Sequence, residues 1–324
     1  MCTAVCYRKQ DFYFGRTLDY DRSFGEEVVI VPRNMALVFR KMGTLERHYA
    51  IIGMAHVARE YPLFYDGINE KGLAMAGLNF VGYAHYGPYR QGKDNVTHFE
   101  LIAWILGQCE NVTQALGLIE RLNITGEAFS EELEPAQLHW MIADRERSVV
   151  LEATREGIRV YDNPVNVLTN NPPFDEQLFH LNNFMGVSAG EPVNRFIPGL
   201  ELREYSRGMG AIGLPGDYSS QSRFVRAAFV NGNAVSEDGE EACVSQFFHI
   251  LDTVAQPRGC CEVGQGYEIT IYRSCCNAEK GIYYYTTYEN RRMTAVDMHA
   301  ENLEKDRMIR YQLVLQPQFL LQNR

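Results

Sequence analysis

The chain has no run of about 18 or more apolar residues, so its sequence predicts no membrane-spanning helix. Its first residues lack the apolar core and small-residue cleavage site of a secretory signal. A cytoplasmic location is therefore the expectation, with no membrane partner. Positive charge is scarce: 31 Lys and Arg against 41 Asp and Glu leave a net charge of −10. Nucleic acid, which calls for a basic patch, is not an expected partner. No His-x-x-x-His pair occurs among the eight histidines, which argues against a histidine metal site on a helix. Among the eight cysteines, the adjacent pairs Cys260-Cys261 and Cys275-Cys276 lack the two-residue spacer of tetrahedral thiolate sites. In a cytoplasmic chain the cysteines should be mostly reduced; Cys275-Cys276, after a strand-like run, reads as buried structural thiols, and neither a metal nor a cofactor is expected. Sequons begin at Asn95, Asn111 and Asn123, but without a secretory route they read as chance matches. Repeats and low-complexity segments are missing too, which excludes solenoids.

What is present is a chain able to bury a large core: 324 residues, 46% of them hydrophobic and 12% aromatic. The stretch most suggestive of chemistry is its beginning. Residues 3–7 and 12–17, rich in β-branched and aromatic side chains, flank a short polar turn and predict a hairpin. A turn near Lys9-Gln10 puts Cys2 opposite Thr17 or Leu18, so Arg16 and Asp19 arrive beside the chain start by local pairing. Residue 2 is small enough for the initiator Met1 to be trimmed. The new first residue would then carry a thiol nucleophile and its own base, an α-amine of ordinary pKa about 7.7–8.0. Arg16 is a candidate for favouring the thiolate. An ordinary buried strand with an inert Cys2 explains this stretch about as well.

Further along, strands are expected at residues 28–31, 37–40 and 49–54. A hairpin is expected over 63–68 and 73–79, turning at Asn69-Glu70-Lys71-Gly72. Its return strand is small and apolar on both faces, as for a strand covered on both sides, and it stops at Asn79. Residues 99–109 and 112–122 have helical periodicity, with Asn111 as N-cap of the second. A three-strand meander spans 138–161. Strand 165–168 leads into Thr169-Asn170-Asn171-Pro172-Pro173, and a short helix follows over 175–184. Residues 186–218 are rich in Gly, Pro and charge and lack periodicity, the mark of a functional or assembly excursion. Helices follow at 219–230 and 243–254, then strands at 267–272, 282–288 and 293–297, and an apolar tail at 313–315. The order β, α, β, α, β gives α+β with antiparallel sheets.

Five stretches in this order carry a family resemblance: Met1-Cys2-Thr3; Phe14-Gly15-Arg16-Thr17-Leu18-Asp19; Asn69-Glu70-Lys71-Gly72 with Gly77-Leu78-Asn79-Phe80; Val167-Leu168-Thr169-Asn170-Asn171-Pro172; and Ser222-Arg223-Phe224. Together they resemble the choloylglycine hydrolase family of N-terminal-nucleophile amidases. That resemblance implies a four-layer αββα sandwich over residues 1–324, built as a single domain. It implies Cys2 as nucleophile, Arg16 beside the thiol and Asp19 on the α-amine. Asn79 and Asn170 would contribute to the oxyanion hole, and Arg223 would complete the polar site; Asn170 is preferred to Asn171 and Arg223 to Arg226. The implied activity is cleavage of the amide between a bile acid and glycine or taurine, with conjugated bile salts as small-molecule substrates. Leu18 and Tyr65 would line the acyl pocket. The 186–218 excursion resembles a tetramer-assembly segment, so a homotetramer is expected. A penicillin V acylase on the same fold is the close alternative, and a catalytically silent sterol- or lipid-binding protein the more distant one.

Overall fold

The computed structural model describes residues 1–323. In chain order its main strands are β1 (Cys2–Arg8), β2 (Phe12–Tyr20), β3 (Glu26–Val31), β4 (Ile51–Ala58), β5 (Tyr61–Asn69), β6 (Ala74–Asn79), β7 (Leu138–Ala143), β8 (Ser148–Thr154), β9 (Gly157–Asp162), β10 (Val167–Leu168), β11 (Ile269–Asn277), β12 (Ile282–Thr287), β13 (Thr294–Asp297) and β14 (Ile309–Gln312). Its helices are α1 (Leu101–Gln108), α2 (Val112–Ile119), α3 (Phe174–His180), α4 (Ser220–Asn233) and α5 (Glu240–Asp252).

The strands form two antiparallel sheets. One runs β10-β1-β2-β11-β12-β13 and the other β9-β8-β7-β6-β5-β4-β3-β14. Alternation along each strand sends side chains to opposite faces, and two cores result. The first packs Cys6 and Phe14 of the six-stranded sheet against Val28, Ala76 and Met141 of the eight-stranded one, and continues through Val5 on the other face of the six-stranded sheet to Phe224 of α4 and Phe247 of α5. The second packs Val29, Met75 and Trp140, on the opposite face of the eight-stranded sheet, against Leu101 and Ile105 of α1 and Val112 of α2. Helices therefore cover the outer face of each sheet, and the layers follow the expected αββα order.

The first hairpin forms with Cys2 opposite Leu18 and Arg8 opposite Phe12, within the window its turn allowed. Gly15 lets the centre of β2 lie close to β11: a Cβ there would fall 2.0 Å from the Ser274 carbonyl oxygen. Strand β6 is buried on both faces up to Leu78, as its composition required.

Other elements differ from expectation. The helix expected to run to residue 122 stops at Ile119. Leu122–Thr125 instead pairs in parallel with Asp94–Thr97, where β-branched Ile124 and Thr125 favour a strand. Strand β14 was not anticipated. It adds Ile309–Gln312 to the edge of β3, a partner about 280 positions away that no local pattern announces. Asn111 caps α2, accepting from the Gln114 N–H at 3.0 Å. Asn95 and Asn123 are buried, the Asn123 amide donating to Asn95 Oδ1 at 2.7 Å. Residues 186–218 contain one 3₁₀ turn, Met209–Ala211, and expose Phe196, Tyr205 and Ile212. No helix of the described residues is long and apolar enough to cross a membrane.

Candidate active site

Cys2 opens β1 between the two sheets. It is only 2% exposed, yet it lines a cavity of about 550 Å³ together with Arg16, Leu18, Tyr65, Gly77 and Asn79. A cavity of this size suits a small organic ligand. Aromatic and aliphatic side chains, among them Phe24, Phe64, Phe99 and Phe129, form much of its wall.

Asn170 comes to Cys2 because β10 is the strand next to β1, with Ala4 opposite Leu168. Two residues beyond that pairing, Asn170 Oδ1 accepts from the Cys2 N–H at 2.8 Å. Its Nδ2 donates to the Asn79 carbonyl at 2.8 Å, which leaves the second Nδ2 proton without a partner among the described residues. Asn171 instead donates to the Val81 carbonyl. Asn79 ends β6 and lies half-buried on the cavity wall.

Arg223 sits in the first turn of α4, fully buried behind Cys2. Its Nη1 donates to the Cys2 carbonyl at 2.6 Å and to Thr3 Oγ1 at 2.8 Å, and its Nη2 donates to Asn170 Oδ1 at 2.7 Å. It does not line the cavity, so it acts on the backbone of Cys2 and the amide of Asn170 rather than on a bound molecule. Burial lowers its pKa, partly offset by Asp19 and Cys2. Arg226, the other arginine considered, ties together the carbonyls of Thr253, Pro215 and Asp217.

Arg16 is also fully buried. Its Nη1 donates to the carbonyls of Gly77 at 2.5 Å and Tyr65 at 3.1 Å, and its Nε to that of Thr17 at 3.1 Å. Its Nη2 is buried with no partner. Such an orphaned donor is costly unless something occupies it, and this one belongs to a residue of the cavity wall. Burial works against the charge, but the acidic groups Cys2, Tyr272, Asp66 and Asp19 outweigh it and hold the guanidinium above its ordinary range. Arg16 is thus a fixed cation beside the thiol.

Asp19 is fully buried and accepts from Thr270 Oγ1 at 2.6 Å and Thr17 Oγ1 at 2.9 Å. With Met1 in place, the Cys2 nitrogen is a peptide N–H held by Asn170, not by this carboxylate. The Met1 amine donates to the Asp19 backbone carbonyl at 2.6 Å and pairs with Glu268. Burial lowers the pKa of that amine, while Cys2 and Asp19 pull it up.

The sequence left several members of this site unnoticed. Asp66, fully buried, accepts from Tyr272 and Tyr283, each at 2.6 Å. This bridge joins the two sheets beneath Arg16. Burial raises the Asp66 carboxyl, and Arg16 and the two tyrosine hydroxyls oppose that shift. Gln177 Nε2 holds the Asn170 and Pro172 carbonyls at 2.6 and 2.9 Å. Polar residues on otherwise apolar strands were the only signal for Asp66; for Gln177 there was none. Cys275 and Cys276 are buried thiols whose pKa values burial pushes up, as structural cysteines should be. No group of three side chains among the described residues is arranged to hold a metal.

The model of the choloylglycine hydrolase family of linear amide C–N hydrolases matches residues 2–311. The chain is 51% identical, over its full length and that of its relative, to a bile salt hydrolase/transferase of Lactiplantibacillus plantarum. Among solved structures it matches an alanine variant of conjugated bile acid hydrolase from Clostridium perfringens, with a TM-score of 0.92 at 36% identity and full coverage of both chains. A penicillin V acylase from Agrobacterium tumefaciens shares the fold, with a TM-score of 0.78 at 20% identity over 97% of this chain and 92% of that one. With Cys2 at the head of a buried polar site and a family match across nearly the whole chain, this protein belongs to the choloylglycine hydrolase family.

Proposed function

We propose that the chain hydrolyses the amide joining a bile acid to glycine or taurine, with Cys2 as an N-terminal nucleophile. The observation that carries the reading is Cys2 on the wall of a largely apolar cavity of about 550 Å³, in a chain 51% identical end to end to a bile salt hydrolase/transferase. Removal of Met1 converts the Cys2 peptide nitrogen into a free amine, which takes the thiol proton. The thiolate, beside the fixed charge of Arg16, attacks the amide carbon. The oxyanion accepts from the free Nδ2 proton of Asn170 and from Asn79, donors of a kind typically worth about 2.7–4 kcal/mol each. The ammonium returns its proton to the departing glycine or taurine nitrogen, leaving a thioester on Cys2. Water, deprotonated by the same amine, releases the bile acid. Asp19 supports the charged amine through the field, and Arg223 holds the Cys2 carbonyl and Asn170 in place.

Recognition then falls mainly on the steroid body, through apolar burial at about 25 cal/mol per Å². Leu18 and Tyr65, on the cavity wall next to Cys2, supply part of it. Cholyl-glycine and cholyl-taurine are expected to be cleaved far faster than penicillin V, and Leu18→Ala and Tyr65→Ala to raise KM for both conjugates together. Faster turnover of penicillin V would replace the substrate with that of an acylase and leave the Cys2 chemistry standing.

The chain is further read as one hydrolase unit over residues 1–324 that assembles into a homotetramer through residues 186–218. Exposed Phe196, Tyr205 and Ile212 support this, being large apolar side chains without cover in one copy. Sedimentation should give four times the 37.0 kDa chain mass; a monomer at micromolar concentration would remove the assembly reading.

A further inference from the structure

The segment that carries Asn170 leaves β10 and reaches α3 at Phe174, and both of its ends are tied to one buried pair. His139 Nε2 lies 2.9 Å from the Thr169 carbonyl oxygen. Glu152 Oε1 accepts from the Phe174 N–H at 3.0 Å and lies 3.1 Å from His139 Nδ1. The side chains are completely or almost completely buried. The His139 ring lies flat on Phe80, with centroids 4.4 Å apart. Phe80 follows Asn79 in the chain and Thr169 precedes Asn170. The pair therefore touches the immediate neighbour of each asparagine, yet it does not line the cavity.

The acceptors around the ring decide where protons sit. A carbonyl oxygen can only accept, so Nε2 carries hydrogen. An ionised Glu152 facing a bare Nδ1 would oppose two lone pairs and leave a net charge in a buried site. One further proton must lie between Nδ1 and Oε1, on either atom, and both arrangements are net neutral. Gln177 independently holds the middle of the segment.

We propose that His139 and Glu152 are a positioning pair, sharing one proton, that sets the Asn79 and Asn170 amides in register with Cys2 during the tetrahedral step. The role rests on the amidase reading. It is tested with His139→Gln, His139→Phe and Glu152→Gln in the full-length processed chain. Glutamine keeps a donor near Nε2. Phenylalanine keeps the stack on Phe80 and loses both polar contacts. Glu152→Gln removes the shared proton: a carboxamide oxygen kept on the Phe174 N–H leaves Nδ1 unmatched or the ring short of a proton, and an NH2 turned to Nδ1 leaves the Phe174 N–H without its acceptor. Readouts are kcat and KM for cholyl-glycine, the rate of Cys2 alkylation by iodoacetamide, and Tm. His139→Phe should lose about 100-fold in kcat, the scale of a small misplacement of catalytic groups, with KM and alkylation each within about threefold of the parent. His139→Gln should recover about tenfold of that loss, and Glu152→Gln should lie about tenfold below the parent. Changes in kcat below about threefold in all three variants would overturn the proposal. So would losses accompanied by equally slowed alkylation that glutamine does not repair. Should His139→Phe fail to fold, the other two variants decide. A parent enzyme that cleaves a different amide but not cholyl-glycine would remove the substrate reading alone, and the same variants would then be judged on that amide.

Discussion

Cys2→Ala is expected to leave turnover of cholyl-glycine below about one ten-thousandth of the parent, with unchanged circular dichroism. Without the thiol no thioester forms, and removing a nucleophile costs many orders of magnitude even where the rest of a site survives. The fold should not suffer. Cys2 is a small side chain at the end of its strand and on a cavity wall, so its loss enlarges a space that is already open. The matching structure from Clostridium perfringens is itself an alanine variant and superposes at a TM-score of 0.92. Turnover above a trace in a properly folded variant would sink the thioester mechanism.

The second large effect concerns Met1. While Met1 is attached, the Cys2 nitrogen is a peptide N–H donating to Asn170 Oδ1 at 2.8 Å, and a peptide nitrogen cannot serve as a base. The Met1 amine is no substitute. It is engaged by the Asp19 carbonyl and Glu268. A chain carrying an uncleavable extension before Cys2 should therefore lose about 10²–10⁴-fold in kcat, the usual contribution of a positioned general base. Trimming back to Cys2 with an aminopeptidase should restore it. Intact mass and turnover measured on the same sample make the check, and full activity in a chain whose mass retains Met1 would exclude the α-amine as base.

Much of this site is legible in the residue pattern, and what is legible there is local. The pairing of Cys2 with Leu18 needs only two β-rich stretches and a short turn. That turn also delivers Arg16 and Asp19 to the chain start. The doubly covered character of β6, ending at Asn79, is written in its small apolar residues, and the N-cap of α2 in Asn111. What the residue pattern did not determine was which distant groups would meet Cys2. Asn170, Arg223 and Glu268 arrive from 168, 221 and 267 positions away from their partners at the chain start. Their contacts depend on β10 choosing the edge of β1, α4 packing over it and β11 pairing with β2. Apolar burial drives that packing, but it is non-directional and leaves no periodic trace of which polar side chain will lie inside. The family resemblance implied Arg223 at the site, and only packing turned it toward the Cys2 carbonyl rather than into the cavity. Asp66, His139 and Glu152 sit on strands that read as ordinary core with an occasional polar residue. Only the stacking of the two sheets, which buries them beside other polar groups, made them part of the site.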